Sequence, residues 1–375
     1  MVGQLSLLPY QVAEEGDVGR RDYRIFSQGH IASMTLKNRL VRSATGDVIQ
    51  TRKVTDRVIT IYTELAKGGV GLIITGELPI GERPELRDGK PYYNPLWFDG
   101  VEKIAEVVHE YGDGCRIVAQ VGAETMGLIG SDYPGRSKSK RVVDTDEFPA
   151  IIDSFIWLIC RLQEAGFDGV QLHGAHDYFL CSLLSPYANR RTDAYGGSLG
   201  NRVRIIGEIV AGARQEVGDF PILIKAPCED FVDGGSDAGS FPDLADALVR
   251  CGLDAIEISA GVNPDRKSIP PGSLPFEPHA RNLDLGVPLI LVEGIRDAEQ
   301  AEKVLLDGTA DFVSMCRPFI SEPDLPLRWL EGRGGSRSDC IDCDCCQFTY
   351  YDYGILNECI FKHHKDLYRK RKKSE

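Results

Sequence analysis

The chain has 375 residues, 43 Lys and Arg against 56 Asp and Glu, and a formal net charge of -13. That length suits one large barrel or two modest domains, and the acidic balance argues against a nucleic-acid partner. No apolar run reaches the ~18 residues of a membrane span, and the opening MVGQLSLLPYQVAEEGD lacks the basic and apolar regions of a secretory leader, so a cytoplasmic protein is expected.

Residues 1–22 read as a tail, and YRIFSQGHIASMTLKNRL after them as a hairpin closing the bottom of a barrel. Eight short apolar runs follow: 39–44, 71–77, 116–121, 169–174, 221–227, 255–261, 288–294 and 311–317. Each has the composition of a buried parallel strand. Helical patterns lie between them at 54–67, 100–111, 148–165, 199–217, 241–251 and 297–307, with a short one near 323–330. In the third of these, Asp153, Ile156, Leu158, Ile159, Leu162 and Ala165 are expected to form the inward face, ending at Gly166. No G-x-G-x-x-G follows the first strand, so a (β/α)8 TIM barrel over residues 23–332 is expected rather than an open doubly wound sheet. Residues 333–375 form a cysteine-rich extension with a basic tail, RKRKKS.

In such a barrel the reactive groups stand at the C-terminal ends of the strands. Those positions hold Ala44, Thr45 and Gly46; Gly76 and Glu77; Gln120; His173, His176 and Tyr178; Lys225; Gly261; Gly294; and Arg317. Amide, imidazole, phenol, lysine and arginine without a carboxylate cluster suit an anionic or electron-rich ligand better than a glycoside or a divalent cation. Gly294 and Arg317 end the last two strands, where barrels often hold a phosphate; a turn glycine and a surface ion pair are the plainer alternative. Lys225 ends a strand that should be wholly apolar, a placement suited to neutralising charge on a ring or oxyanion. Gln120 offers donor and acceptor to a heterocycle edge, or satisfies loop backbone. His173 and His176 raise the question of a metal, yet a catalytic zinc needs a third protein ligand and none stands at a matching spacing.

LKNRLVRSAT, GLIITGE, HGAHDYFLCSLLSPYANRRTDAYGGSLGNRVR, IKAPCEDFVDGG, IEISAG, VEGIRDAEQAEKVLLDGTADFVSMCRPFISEPDLP and CIDCDCC together resemble, in order, the landmarks of the old yellow enzyme family of FMN-dependent ene-reductases. The branch it most resembles contains the 2,4-dienoyl-CoA reductases and trimethylamine dehydrogenases. The resemblance implies that His173 and His176 hydrogen-bond a substrate carbonyl or nitro oxygen and that Tyr178 protonates the α-carbon. It places Gln120 and Lys225 at the flavin edge, Gly294, Cys316 and Arg317 at the phosphate, and Ala44, Thr45 and Gly76 along the ring. Some positions depart from the pattern: Gly46 where relatives carry a thiol or hydroxyl, VGAET after Gln120, and Glu293 and Cys316 in place of glycines.

Of eleven cysteines, six are scattered singly from Cys115 to Cys316, as expected of reduced thiols. Cys340, Cys343, Cys346 and Cys359 give C-x2-C-x2-C-x12-C, with Cys345 an alternative third ligand. Larger relatives hold a [4Fe-4S] cluster at a similar motif, whereas zinc accepts the same thiolates. The chain ends soon after Cys359, and no second flavin domain is expected. Three functions are consistent with these signals: reduction of activated C=C bonds by FMN, with electrons from NADH or NADPH or from a separate electron-transfer protein; an amine dehydrogenase or demethylase component; and a flavin-free phosphate-binding barrel with structural zinc. A small-molecule substrate is expected, and a homo-oligomer is compatible with the sequence.

Overall fold

A computed structural model describes residues 22–47, 54–81, 95–123, 127–262, 273–281, 283–347 and 354–374. The tail expected over 1–22 therefore lies almost wholly outside the described residues, as do Glu124 and Thr125 of VGAET.

Strands β1 (Gly29–Ile31) and β2 (Met34–Leu36) form the expected antiparallel hairpin. The barrel consists of β3 (Leu40–Arg42), β4 (Leu72–Ile74), β6 (Arg116–Gly122), β9 (Gly169–His173), β10 (Ile222–Glu229), β11 (Ala255–Ala260), β12 (Leu289–Val292) and β13 (Phe312–Met315). Each pairs in parallel with the next, and β13 returns to β3, with Ser314 opposite Val41, which closes the ring. All eight strands lie within the apolar runs expected from the sequence or within two residues of them. A short extra strand, β5 (Leu78–Pro79), adds to β6; another pair, β7 (Leu128–Ile129) and β8 (Arg141–Val142), forms in the excursion after β6.

The helices surround the ring. α1 (Asp56–Lys67), α2 (Pro95–Tyr111), α3 (Phe148–Glu164), α5 (Leu199–Val217), α6 (Phe241–Arg250) and α8 (Ala298–Leu306) occupy the expected positions; α9 (Arg317–Ser321) and α10 (Leu325–Leu330) divide the short segment after β13. Thr55, Ser198 and Asp297 accept backbone N–H groups at the starts of α1, α5 and α8, satisfying donors that the helices cannot. In α3 the inward face is Ile151, Phe155, Leu158, Ile159 and Leu162. The expected face is corrected there: Asp153 is exposed and Ile156 only half-buried, because α3 packs on both the barrel and α5 and its apolar stripe is rotated accordingly.

An aspartate before three of the strands holds the barrel in register. Asp168, Asp254 and Asp311 accept a backbone N–H at the start of the preceding strand, from Ile117 at 2.8 Å, Ile222 at 2.7 Å and Leu289 at 2.9 Å. Inside the ring, Val41, Leu72, Ile74, Val118, Leu223, Ala255, Ile290 and Phe312 pack against Ile31, Met34 and Leu36 of the hairpin. The bottom of the barrel is thus sealed by apolar packing, and ligands can enter only from the other end.

Candidate functional site

Alternate residues of a barrel strand face inward, so the position two residues beyond each apolar layer member is the next to face the interior. Beyond Val41 comes Ser43; beyond Ile74, Gly76; beyond Val118, Gln120; beyond Leu223, Lys225; beyond Ala255, Glu257; beyond Phe312, Ser314. Except at Gly76 and at Val292 beyond Ile290, the interior therefore changes from apolar to polar within one layer.

That layer is a connected network. Lys225 Nζ lies 2.9 Å from Glu257 Oε2 and donates to Ser43 Oγ at 2.9 Å. Ser314 Oγ donates to Glu257 Oε1 at 2.8 Å, and Gln171 Nε2 to Glu257 Oε2 at 2.8 Å. Gln120 Nε2 then donates to Gln171 Oε1 at 2.8 Å. Glu257 is fully buried; burial opposes its ionisation, but the Lys225 charge and the converging hydrogen bonds carry its pKa below the usual carboxylate range.

His173 ends β9 beside Lys225 on β10. Burial, reinforced by Lys225 and Lys140, pushes its pKa down to about 3, so the ring is neutral at ordinary pH. Its Nδ1 is buried and has no protein partner. His176 and Asp177 take left-handed backbone conformations (φ 61° and 62°) in the turn after β9. Such conformations are costly for residues other than glycine and cluster at functional turns. The turn sets the His176 ring edge-on to His173, with centroids 5.2 Å apart, and Ser259 Oγ holds His176 Nε2 at 2.8 Å. Tyr178 precedes α4 (Phe179–Leu184) and stands edge-on to His173, with centroids 4.7 Å apart. Lys140, from the β7–β8 excursion, places Nζ 4.9 Å from the centre of the Tyr178 ring and donates to Asp177 O at 3.1 Å.

Gly76 approaches the β3 loop so closely that a Cβ would collide with Thr45 O and Asp47 Oδ1. Its N–H donates to Asp47 Oδ2 at 2.8 Å, and Tyr62 Oη donates to the same oxygen. Thr45 Oγ1 accepts from Arg42 Nη2 and, at 3.5 Å, from Asn357 Nδ2 of the C-terminal extension. Cys316 Sγ donates to Ala44 O at 3.5 Å, joining the last strand's loop to the first. Ala44, Thr45, Gly76 and Cys316 therefore share one side of the mouth.

At Gly294 the backbone is left-handed (φ 89°) and a Cβ would collide with Ser273 O, so glycine is required. Arg317 is not a free cation. It pairs with Asp342 and Asp344 of the extension and lies 3.8 Å from Glu293, while Arg296 Nη2 holds Asp342 at 2.6 Å. A phosphate reaching Arg317 has to share or replace those partners.

Cys340, Cys343, Cys346 and Cys359 line one small cavity with Arg317, Asp344, Ile320, Ile341 and Ile360. Cys345 is buried elsewhere, its thiol directed to Cys343 O at 3.3 Å. Burial, with the neighbouring thiols, pushes the Cys346 pKa up to about 12. Among the described residues, no three His, Cys, Asp or Glu side chains are grouped closely enough to hold a metal ion. A separate surface cavity lies between α1, α9 and the extension, and its lining includes Arg57 and Glu358, which pair with each other.

The polar layer brings together the expected Gln120 and Lys225 but also Gln171, Glu257, Ser43 and Ser314, which the strand-end rule passes over. A charge inside AIEISAG and an amide inside GVQLHG are the signals that mark two of them. Lys140 and Ser259 carry no sequence signal comparable to these.

The model of the NADH:flavin oxidoreductase / NADH oxidase family matches residues 24–335. The chain belongs to that family, the old yellow enzymes. It is 32% identical to an NADH oxidase from Thermoanaerobacter brockii over 349 residues, covering 85% of this chain and 52% of that one. It is 29% identical to an NADPH dehydrogenase from Halalkalibacterium halodurans over 329 residues, covering 81% and 93%. A 2-naphthoyl-CoA reductase solved in complex with 2-naphthoyl-CoA shares the fold, with a TM-score of 0.78, 24% identity, and coverage of 90% of this chain and 56% of that one. The chain thus spans about half the length of the first relative. No helix among the described residues is long and apolar enough to cross a membrane.

Proposed function

We propose that this chain is an FMN-dependent oxidoreductase that reduces the C=C bond of α,β-unsaturated carbonyl or dienoyl-type substrates, with NADH or NADPH as the electron source. The observation that carries this reading is the neutral, buried His173 with an unpartnered Nδ1, set against His176 and Tyr178 above a polar layer at the open end of the barrel.

The residues present fit FMN. Gln120 and Lys225 supply an amide and an ammonium for its polar ring edge; Ala44, Thr45 and Gly76 line one side; Gly294, Cys316 and Arg317 form the phosphate end, with backbone approach permitted at Gly294 by its missing Cβ. When bound, FMN supplies the hydride chemistry that none of these side chains can provide.

The protein's own share is binding, orientation and proton delivery. His173 hydrogen-bonds the substrate oxygen as a neutral imidazole, so it stabilises charge developing there without fixing a full positive charge beforehand. His176, its ring held by Ser259, provides the second contact. Tyr178 delivers a proton from Oη to the α-carbon as that carbon becomes enolate-like. The Lys140 ammonium over its ring favours the phenolate left behind.

For the extension we infer a [4Fe-4S] cluster held by Cys340, Cys343, Cys346 and Cys359. What supports this reading is that the four thiols line one small cavity and follow the C-x2-C-x2-C-x12-C spacing. Such a cluster is in keeping with the dienoyl-CoA reductase and trimethylamine dehydrogenase branch and would let electrons arrive from a separate protein. None of the eleven cysteines is in a disulfide, in keeping with a cytoplasmic location.

An anaerobic visible spectrum with iron and sulfide analysis tests the cofactors. Flavin bands and iron are expected, whereas a colourless zinc protein would refute the reading. Turnover of enones or enoyl thioesters, with amines left unchanged, supports reduction; the reverse pattern replaces it with amine oxidation.

A further inference from the structure

The polar layer has a direction, and one residue sets it. Glu257 is buried and ionised, so both its oxygens can only accept. Gln171 must therefore turn its NH2 toward Glu257, which leaves its carbonyl Oε1 facing Gln120. Gln120 must in turn offer its own NH2 to that oxygen. The Gln120 carbonyl is left outside the network, together with the second N–H of the amide. Reversing the Gln120 amide would set carbonyl against carbonyl in a buried site and leave both acceptors without a donor there.

We propose that Glu257 and Gln171 are positioning residues that fix Gln120 with its carbonyl outward, so that the barrel mouth selects a ring edge carrying an N–H donor. Lys225 completes the pattern. Two of its contacts go to Ser43 and Glu257, and the ammonium has a third proton for an oxygen beside that N–H. An N–H beside a carbonyl is an amide or imide edge, a pattern found on the pyrimidine ring of a flavin. The same pairing makes Lys225 and Glu257 together neutral, so the mouth recognises this edge through oriented hydrogen bonds while Glu257 offsets the lysine's charge. A buried ion pair could instead serve stability alone, and the two roles predict different binding behaviour.

The inference rests on FMN being the ligand of this site. The full chain, stripped of flavin, is titrated with FMN and with N3-methyl-FMN, which lacks the ring N–H, and binding is followed by fluorescence. The wild type should bind FMN at least tenfold more tightly. In Gln171→Leu, which frees the Gln120 amide and leaves Lys225 and Glu257 paired, the ratio should fall to about threefold or less with little change in midpoint potential. Glu257→Gln should also reduce the ratio, and in addition raise the flavin midpoint potential by leaving the Lys225 charge uncompensated. Circular dichroism establishes that each variant is folded; if Glu257→Gln does not fold, Gln171→Leu decides. Equal discrimination in the wild type and the folded variants overturns the proposal, as does a wild type that does not discriminate. If neither variant folds, the network is structural and the proposal also fails. A wild type that binds neither flavin refutes the FMN reading itself.

Discussion

His173 should make the protein sensitive to acid in a way that one substitution removes. Its folded pKa of about 3 lies well below the ordinary histidine value of 6.5, because burial first, and then Lys225 and Lys140, disfavour the imidazolium. A depressed base stabilises the fold fully above the unfolded pKa, and that contribution is lost as pH falls from about 6.5 toward 3, where only the unfolded chain takes up the proton. Each pH unit in that window is worth about 1.4 kcal/mol, so by pH 4 the loss is about 3 kcal/mol. Carboxylates contribute their own acid sensitivity, so the informative quantity is the difference between wild type and His173→Asn, which puts a hydrogen-bonding amide at the site that cannot titrate. Denaturant midpoints measured from pH 8 to pH 4 should converge, the wild type losing about 3 kcal/mol more than the variant. Imidazole nitrogen resonances absent from His173→Asn should show a neutral ring down to pH 4. Parallel stability curves, or a His173 resonance titrating near pH 6.5, would refute the assignment and with it the neutral hydrogen-bond donor on which the proposed chemistry relies.

Tyr178→Phe should slow alkene reduction about a hundredfold or more while flavin reduction by NAD(P)H stays within a few-fold of wild type, measured by anaerobic stopped flow; equal loss in both half-reactions removes the proton-donor role. Gly294→Ala forces a side chain into a left-handed position against Ser273 O and should cost about 1–3 kcal/mol of stability, read from denaturant unfolding, and weaken FMN binding. Cys346→Ser should lose iron and sulfide while Cys345→Ser retains both, because Cys346 lines the shared cavity and Cys345 does not; the opposite result would exchange their roles.

Lys225 was legible in IKAPCED because a charge ending an apolar strand has few structural uses. The same reasoning extends to Glu257 and Gln171, which lie inside their strands rather than at the ends. Their inward direction follows from two-residue alternation only once it is known which alternate residues form the apolar layer, and the hairpin packed beneath that layer settles this. Arg317 shows the opposite limit. Its position at the end of β13 is plain in the sequence, but the acids that engage it, Asp342 and Asp344, come from a segment whose path across the barrel no local pattern specifies.

By itself the sequence determined the order of strands and helices, the ring they close, and the residue types at the mouth, because burial on both faces of parallel strands leaves short, continuous apolar runs with a clear beginning and end. The tertiary structure decided the relations among side chains: the direction of the Gln120–Gln171–Glu257 network, the neutral state of His173, the partners of Arg317, and the placement of Cys346 rather than Cys345 at the shared cavity. Hydrogen-bond direction and proton affinity depend on which polar atoms meet once water is excluded, and those meetings join residues as far apart in the chain as Ser43 and Lys225.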